Sequence, residues 1–260
     1  MIVWSIANQK GGVGKTTTTI SLAGLLAKKG HRVLVIDTDP HASLSTYLGV
    51  DSDEVTHSLF NLFQQSSTSR DAVRSVIQKS EIENIDLIPA HMSLATLDRV
   101  MGSKSGLGLV VKKALSSIRD DYDYVLIDCP PILGVMMVNA LAASSRILIP
   151  VQTEFLAMKG LERMTRTLAI MQKSKKRGFN VTIVPTMYDK RTRASLQTLN
   201  QLKQDYPTQV WPSAIPIDTK FRDASLRRLP ISHCAPGSRG VFAYKQLLIY
   251  LDRLVQNDQH

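Results

Sequence analysis

Apolar residues along the chain fall into two alternating patterns. Short β-branched and aliphatic runs occur at Ile2–Ala7, Arg32–Ile36, Ile85–Pro89, Tyr124–Asp128, Arg146–Val151 and Val181–Met187, with a weaker one at Val210–Ile215. Between them lie longer amphipathic stretches at Thr16–Lys29, Leu107–Ile118, Phe155–Lys173 and Thr192–Asp205, and a last one at Val241–Val255. Strands alternating with helices predict βαβ units, hence a mostly parallel, twisted sheet covered by helices on both faces. Runs such as Val-Leu-Val-Ile are apolar on consecutive residues, as strands buried on both faces require. No repeat, low-complexity tract or Pro/Gly/Ser linker divides the chain, and Gln64–Ser69 reads as a surface loop. A single α/β domain over residues 1–260 is therefore expected.

Composition narrows the class. Hydrophobic residues make up 43% and charged residues 21%, enough apolar material for a sizeable core. The longest apolar runs are strand-length, well short of the ~20 residues a membrane span needs, and the N-terminus has no signal-peptide pattern. Two cysteines, Cys129 and Cys234, make no disulfide framework, so a reducing, cytoplasmic setting is expected. Charge is unevenly placed. Residues 1–150 carry 14 basic and 14 acidic side chains and residues 151–260 carry 18 and 8, so the whole net charge of +10 sits in the last 110 residues. Such an excess suggests a polyanionic partner, nucleic acid or an anionic membrane, against the plainer reading of a solvated basic face.

The sharpest chemical signal follows the first strand: Lys10-Gly-Gly-Val-Gly-Lys-Thr-Thr17. Between a strand and a helix this is a phosphate-binding loop. Gly11, Gly12 and Gly14 allow backbone N–H groups to turn toward phosphate oxygens, with Val13 among them, and the following helix adds its N-terminal dipole. Lys15 is expected to reach the β- and γ-phosphates and the Thr16 hydroxyl to bind Mg²⁺. Asp128 closes the run Tyr124-Val-Leu-Ile-Asp at a strand end, where open parallel sheets bind ligands and a metal-orienting carboxylate belongs. Asp37 and Asp39 end the second strand; spaced i, i+2, they point the same way if strand geometry persists, and one of them could orient an attacking water.

Taken together, KGGVGKTT with its early lysine, DTDP and DCPP resemble the deviant Walker A ATPases of the ParA/Soj/MinD group. Met187–Thr192 (MYDKRT), Ile215–Asp218 (IPID) and Ala235–Gly240 (APGSRG) extend the resemblance over essentially the whole chain and favour the ParA/Soj branch. The resemblance implies a P-loop NTPase fold and an ATPase with ATP and Mg²⁺, weak basal turnover and an ATP-dimer/ADP-monomer cycle. It makes Lys10 the lysine that reaches a partner subunit's nucleotide, and Asp39 the water-activating aspartate, grouped with Thr16 and Asp128 on the metal side. ATP-binding positions then run from Lys10 through Thr17 and include Pro216 and Asp218, where the family contacts adenine. Relatives commonly carry Asn at the last of these. Arg191 and Arg222 match arginines that bind DNA without sequence preference, with Lys190, Arg193, Lys220, Arg227 and Arg228 nearby. A protein partner would stimulate hydrolysis or link to cargo, at the nucleoid or a cell pole.

His41 departs from the family's usual glutamine and reads as a surface residue. The chain begins at the first strand, so no N-terminal helix-turn-helix domain is expected. Cargo is left open between chromosome or plasmid and a polar chemotaxis or flagellar assembly. Two other classes compete. A MinD-like membrane ATPase needs a basic amphipathic terminal helix, but Lys245–Val255 is poor in basic residues and reads as core-packing. A redox relative of the nitrogenase iron protein needs cysteines placed to bridge a cluster, which Cys129 and Cys234 are not.

Overall fold

The computed structural model describes residues 1–52, 54–65, 67–97, 107–172 and 178–258. Seven strands form one sheet: β1 Ile2–Ile6, β2 Val33–Asp37, β3 Gln78–Lys79, β4 Ile85–Ile88, β5 Tyr124–Asp128, β6 Arg146–Gln152 and β7 Val181–Thr186, in the order β3-β4-β2-β5-β1-β6-β7. Every pairing is parallel except that of β3 with β4, which adds an antiparallel edge. The expected α/β architecture is present.

Alternation within the strands splits the core into two layers. Val125 and Ile127 of β5 join one cluster, Tyr124 and Leu126 the other. On the first face pack α3 (Leu59–Gln64), α4 (Arg70–Ser75), α5 (Val110–Ser117), α6 (Val135–Ala143), α7 (Phe155–Gln172) and α8 (Arg193–Asp205). On the second pack α1 (Lys15–Lys28), α2 (Ser43–Tyr47), α9 (Lys220–Leu226), α10 (Ile231–Cys234) and α11 (Arg239–Asp258). The faces meet α1 closely: a Cβ at Gly24 would lie 2.3 Å from Pro230 Cβ, so only glycine admits that approach. The hydroxyls of Thr18 on α1 and Tyr244 on α11 lie 2.9 Å apart, joining the two helices at their buried seam.

One expectation needs correction. The run Val210–Ile215 is not a strand. It touches the sheet at isolated points, Val210 against Ile183 and the Ile215 amide on the Pro185 carbonyl at 2.8 Å. Pro212 lacks an amide proton and the chain bends there, so no continuous ladder forms. The short helices α2–α4, α6, α9 and α10 and strand β3 are additional to the expected elements. The helix expected to end at Lys173 is described to Gln172, and its last residue lies outside the described residues, as do Ser66 of the expected Ser-rich loop and the last two residues of the chain. The terminal helix packs into the core through Val241, Tyr244, Leu247, Leu248 and Leu251. Among the described residues, no helix is long and apolar enough to cross a membrane.

Register places the chemistry. Ile6 pairs with Asp128, and Asp37 also pairs with Asp128, so the C-terminal ends of β1, β2 and β5 lie side by side. The glycine-rich loop leaves β1 there, at the position where open α/β sheets bind ligands.

Candidate functional site: a phosphate loop at the sheet edge

Gly12 and Gly14 adopt φ of +73° and +92°, left-handed conformations that L side chains rarely tolerate. Gly14 is the N-cap of α1 and offers no side-chain cap, so the first amides of the helix stay available to an anion. The Thr186 hydroxyl donates to the Val13 carbonyl at 2.9 Å, which fastens the loop to β7. Lys15 is 8% exposed, and its ammonium donates to the Lys10 carbonyl at 3.3 Å. A buried cation held by a backbone carbonyl at the mouth of a helix N-terminus suits a polyphosphate.

The Thr16 hydroxyl donates to Asp128 Oδ2 at 2.6 Å, and the Thr19 hydroxyl lies 3.5 Å from Oδ1. Burial, reinforced by the neighbouring Asp37 carboxylate, pushes Asp128 up to about 8, against the Thr16 hydrogen bond and the Lys15 ammonium. A carboxylate so disfavoured as an anion, beside a threonine hydroxyl, is an oxygen donor set suited to a hard divalent cation shared with phosphate. Asp37 and Asp39 part company. Strand β2 ends at Asp37, so the two do not point the same way. Asp37 is fully buried and accepts from the Ser45 amide at 2.8 Å, the Ser45 hydroxyl at 2.7 Å and the Asp39 amide at 3.1 Å. Burial holds it up at about 6 even so. Asp39 instead lines a cavity of about 750 Å³ together with Gly11, Gly12, Gly14, Lys15, Thr16 and Thr17. A second cavity of about 360 Å³, bounded by Pro216 and Asp218, adjoins it and shares Gly14, Thr17, Met187, Phe221 and Arg222. Both lie in the size range of small-molecule sites.

A family model described as an AAA domain matches residues 1–181. The chain is 34% identical to the sporulation initiation inhibitor protein Soj of Bacillus subtilis over 94% of this chain and 95% of that one. It is 36% identical to the chromosome partitioning protein ParA of Caulobacter vibrioides, covering 85% and 83%. The chain belongs to the ParA/Soj family of P-loop ATPases. Among solved structures, cobyrinic acid a,c-diamide synthase of Mycobacterium smegmatis with bound ATP analog and magnesium superposes with a TM-score of 0.84 at 30% identity, covering 98% and 96%.

The remaining site residues of this ParA/Soj chain divide by position. The Lys10 ammonium is paired with Glu154, at the foot of α7, and the Lys10 amide donates to Asn8 Oδ1 at 3.1 Å. Nothing in the sequence flags Glu154, because it lies 144 residues away. Asp218 is committed to the backbone: it accepts from the Lys220 amide at 3.0 Å and the Gly240 amide at 2.9 Å, tying α9 to α11. Its carboxylate thus does a helix-capping job while its residue borders the smaller cavity. Arg191 is 83% exposed and grips Asp189 through Nε at 2.9 Å and Nη2 at 2.7 Å, which holds Asp189 down at about 2. Arg222, also exposed, stands on the wall of both cavities. Arg191 lines neither cavity. His41 is exposed, yet its Nδ1 lies 2.9 Å from Asp39 Oδ1, which also accepts the His41 amide at 3.0 Å. Cys129 is buried and burial raises its thiol, while Cys234 is half-buried.

Proposed function

We propose that this chain is a nucleotide-switched positioning ATPase that cycles between a Mg²⁺–ATP dimer bound to DNA and a released ADP monomer. One observation carries the reading: a phosphate loop with two left-handed glycines, a buried Lys15 and a Thr16–Asp128 pair at the joined ends of β1, β2 and β5. In this reading the amides of residues 11–17 cradle the phosphates, and Lys15 neutralises their outer charge. Thr16 and Asp128 would hold Mg²⁺, which when bound neutralises charge between the outer phosphates. Asp39, half-buried on the cavity wall, orients the attacking water. Lys10 exchanges Glu154 for the nucleotide of a second chain, adding positive charge across the dimer interface as an arginine finger does. Pro216 shapes the base pocket, and Asp218 holds its wall.

The DNA step rests on the basic excess of residues 151–260, with Arg191 as its first candidate and Lys190, Arg193, Lys220, Arg227 and Arg228 as further ones. Arg191 and Lys220 are both exposed and paired only with surface carboxylates, ion pairs that phosphates can displace. Relatives named for chromosome partitioning and for sporulation control support a positioning role. Cargo would be a chromosome, plasmid or large polar assembly, engaged through a protein partner that stimulates hydrolysis. A cytoplasmic location at the nucleoid or pole follows from that role.

Mutation of the two loop lysines tests the reading. Lys15→Ala should abolish ATP binding and hydrolysis, whereas Lys10→Ala should retain ATP binding and lose ATP-driven dimerisation in light scattering. Normal hydrolysis by Lys15→Ala would refute the assignment of the loop.

A further inference from the structure

The two cavities described above adjoin, sharing five lining residues. The larger runs along the phosphate loop and the smaller reaches Pro216, and the residues common to both mark the junction. Among the described residues lining these cavities, the cations are Lys15 and Arg222. Lys15 lies within the phosphate loop. Arg222, the third residue of α9, lies at the junction together with Gly14 and Thr17.

Arg222 also differs from its basic neighbours in its partners. Arg191 is held by Asp189 and Lys220 by Asp223. Among the described residues no carboxylate pairs with Arg222, and the acidic residue nearest in the wall, Asp218, spends both oxygens on the amides of Lys220 and Gly240. The rest of the junction is Gly14 and Thr17 of the loop with the apolar side chains of Met187 and Phe221. An exposed guanidinium with no carboxylate partner, on the wall shared by a phosphate-loop cavity and its neighbour, is suited to an anionic ligand that spans the two.

We propose that Arg222 is a nucleotide-binding residue, donating in cis to the α-phosphate and ribose of the nucleoside phosphate that spans the two cavities. This rests on the nucleotide reading of the phosphate loop and removes Arg222 from the DNA surface to which its sequence position points. The consequence is specific. A cation at the junction meets the part of the ligand that ATP and ADP share, so it sets affinity for both and does not discriminate between them. Discrimination is left to the far end of the loop, at Lys15, Thr16 and Asp128.

The test is titration of fluorescent ATP and ADP analogues into wild-type protein, Arg222→Gln, Arg222→Lys and Arg191→Gln, with Mg²⁺ and without DNA. A charge-assisted hydrogen bond from a partly solvated side chain predicts that Arg222→Gln weakens ATP and ADP equally, by roughly tenfold each. Arg222→Lys should recover most of that loss, and Arg191→Gln should bind like wild type. Affinities of Arg222→Gln within about twofold of wild type would overturn the proposal, most clearly if its DNA binding at saturating Mg²⁺–ATP were lost instead. A loss confined to ATP would also overturn it, by placing the guanidinium at the terminal phosphate. Should wild-type protein bind neither analogue, the nucleotide reading itself fails, a result distinct from all of these.

Discussion

Ser45→Ala removes one oxygen atom from the second strand's turn and should be among the costliest single changes near the site. Ser45 is fully buried. Its hydroxyl donates to Asp37 Oδ2 at 2.7 Å and accepts from the Ala90 amide at 3.0 Å. Truncation loses a hydrogen bond to a charged acceptor, worth ~1.5–3 kcal/mol, and leaves a buried amide without its partner, at ~1–3 kcal/mol. The sum is about 2.5–6 kcal/mol, a large share of the ~5–15 kcal/mol that holds a domain folded. The sign of its pH dependence is fixed by Asp37. Its folded-state value is raised from 3.8 to about 6, so the stability it contributes is fully present below 3.8 and is lost as pH rises through about 6. Loss of the Ser45 hydroxyl raises Asp37 further. At about pH 5 the variant therefore loses a bond to a protonated acid, ~0.5–1.5 kcal/mol plus the orphaned amide, and at about pH 7.5 it loses the stronger bond to a carboxylate. Urea unfolding of wild type and variant at both pH values, without nucleotide, measures the difference directly. A deficit below about 1 kcal/mol, or one equal at both pH values, would refute the reasoning.

Asp128→Asn should raise the melting temperature of nucleotide-free protein near neutral pH, because the carboxylate it replaces is raised to about 8 and costs stability as pH climbs toward that value. The same variant should lose the Mg²⁺-dependent part of the thermal shift produced by ATP, as followed by differential scanning fluorimetry. For the DNA surface, gel shifts of unrelated duplexes with Mg²⁺–ATP protein should show similar affinities and a log–log salt slope near −5 if two symmetric patches neutralise about three phosphates each. Arg191→Glu should flatten that slope and weaken all sequences alike, and equal weak binding in ATP and ADP would remove DNA from the mechanism.

Much of this was legible in the sequence because the chemistry is local. Strands β1, β2 and β5 announce themselves by consecutive apolar residues, since helices cover both faces, and the phosphate loop needs glycine at positions whose left-handed φ excludes other residues. What escaped depends on contacts distant in sequence. The i, i+2 spacing of Asp37 and Asp39 suggested a shared direction, but the strand stops at Asp37, whose partner Ser45 is supplied by the next helix. Glu154 meets Lys10 only because β1 and β6 are neighbours in the sheet. Arg222 reads as one more basic residue in a basic segment, and only the packing of α9 beside the phosphate loop turns it to the cavity. The false strand at Val210–Ile215 had the composition of a strand and lacked, at Pro212, the amide needed to be one.

The central claim is that hydrolysis at this site, through Asp39, is what ends the ATP-bound dimer. Asp39 is half-buried on the cavity wall, and only its backbone amide, not its carboxylate, joins the buried network of Asp37, so replacing the side chain leaves the phosphate cradle whole. The decisive measurement is a paired one on Asp39→Ala: phosphate release and light-scattering mass, both in Mg²⁺–ATP. The account predicts that the variant binds ATP, releases no phosphate above background and persists as a dimer after wild-type protein has returned to monomer. An Asp39→Ala protein that hydrolyses ATP at the wild-type rate and leaves the dimer on the same schedule would contradict it.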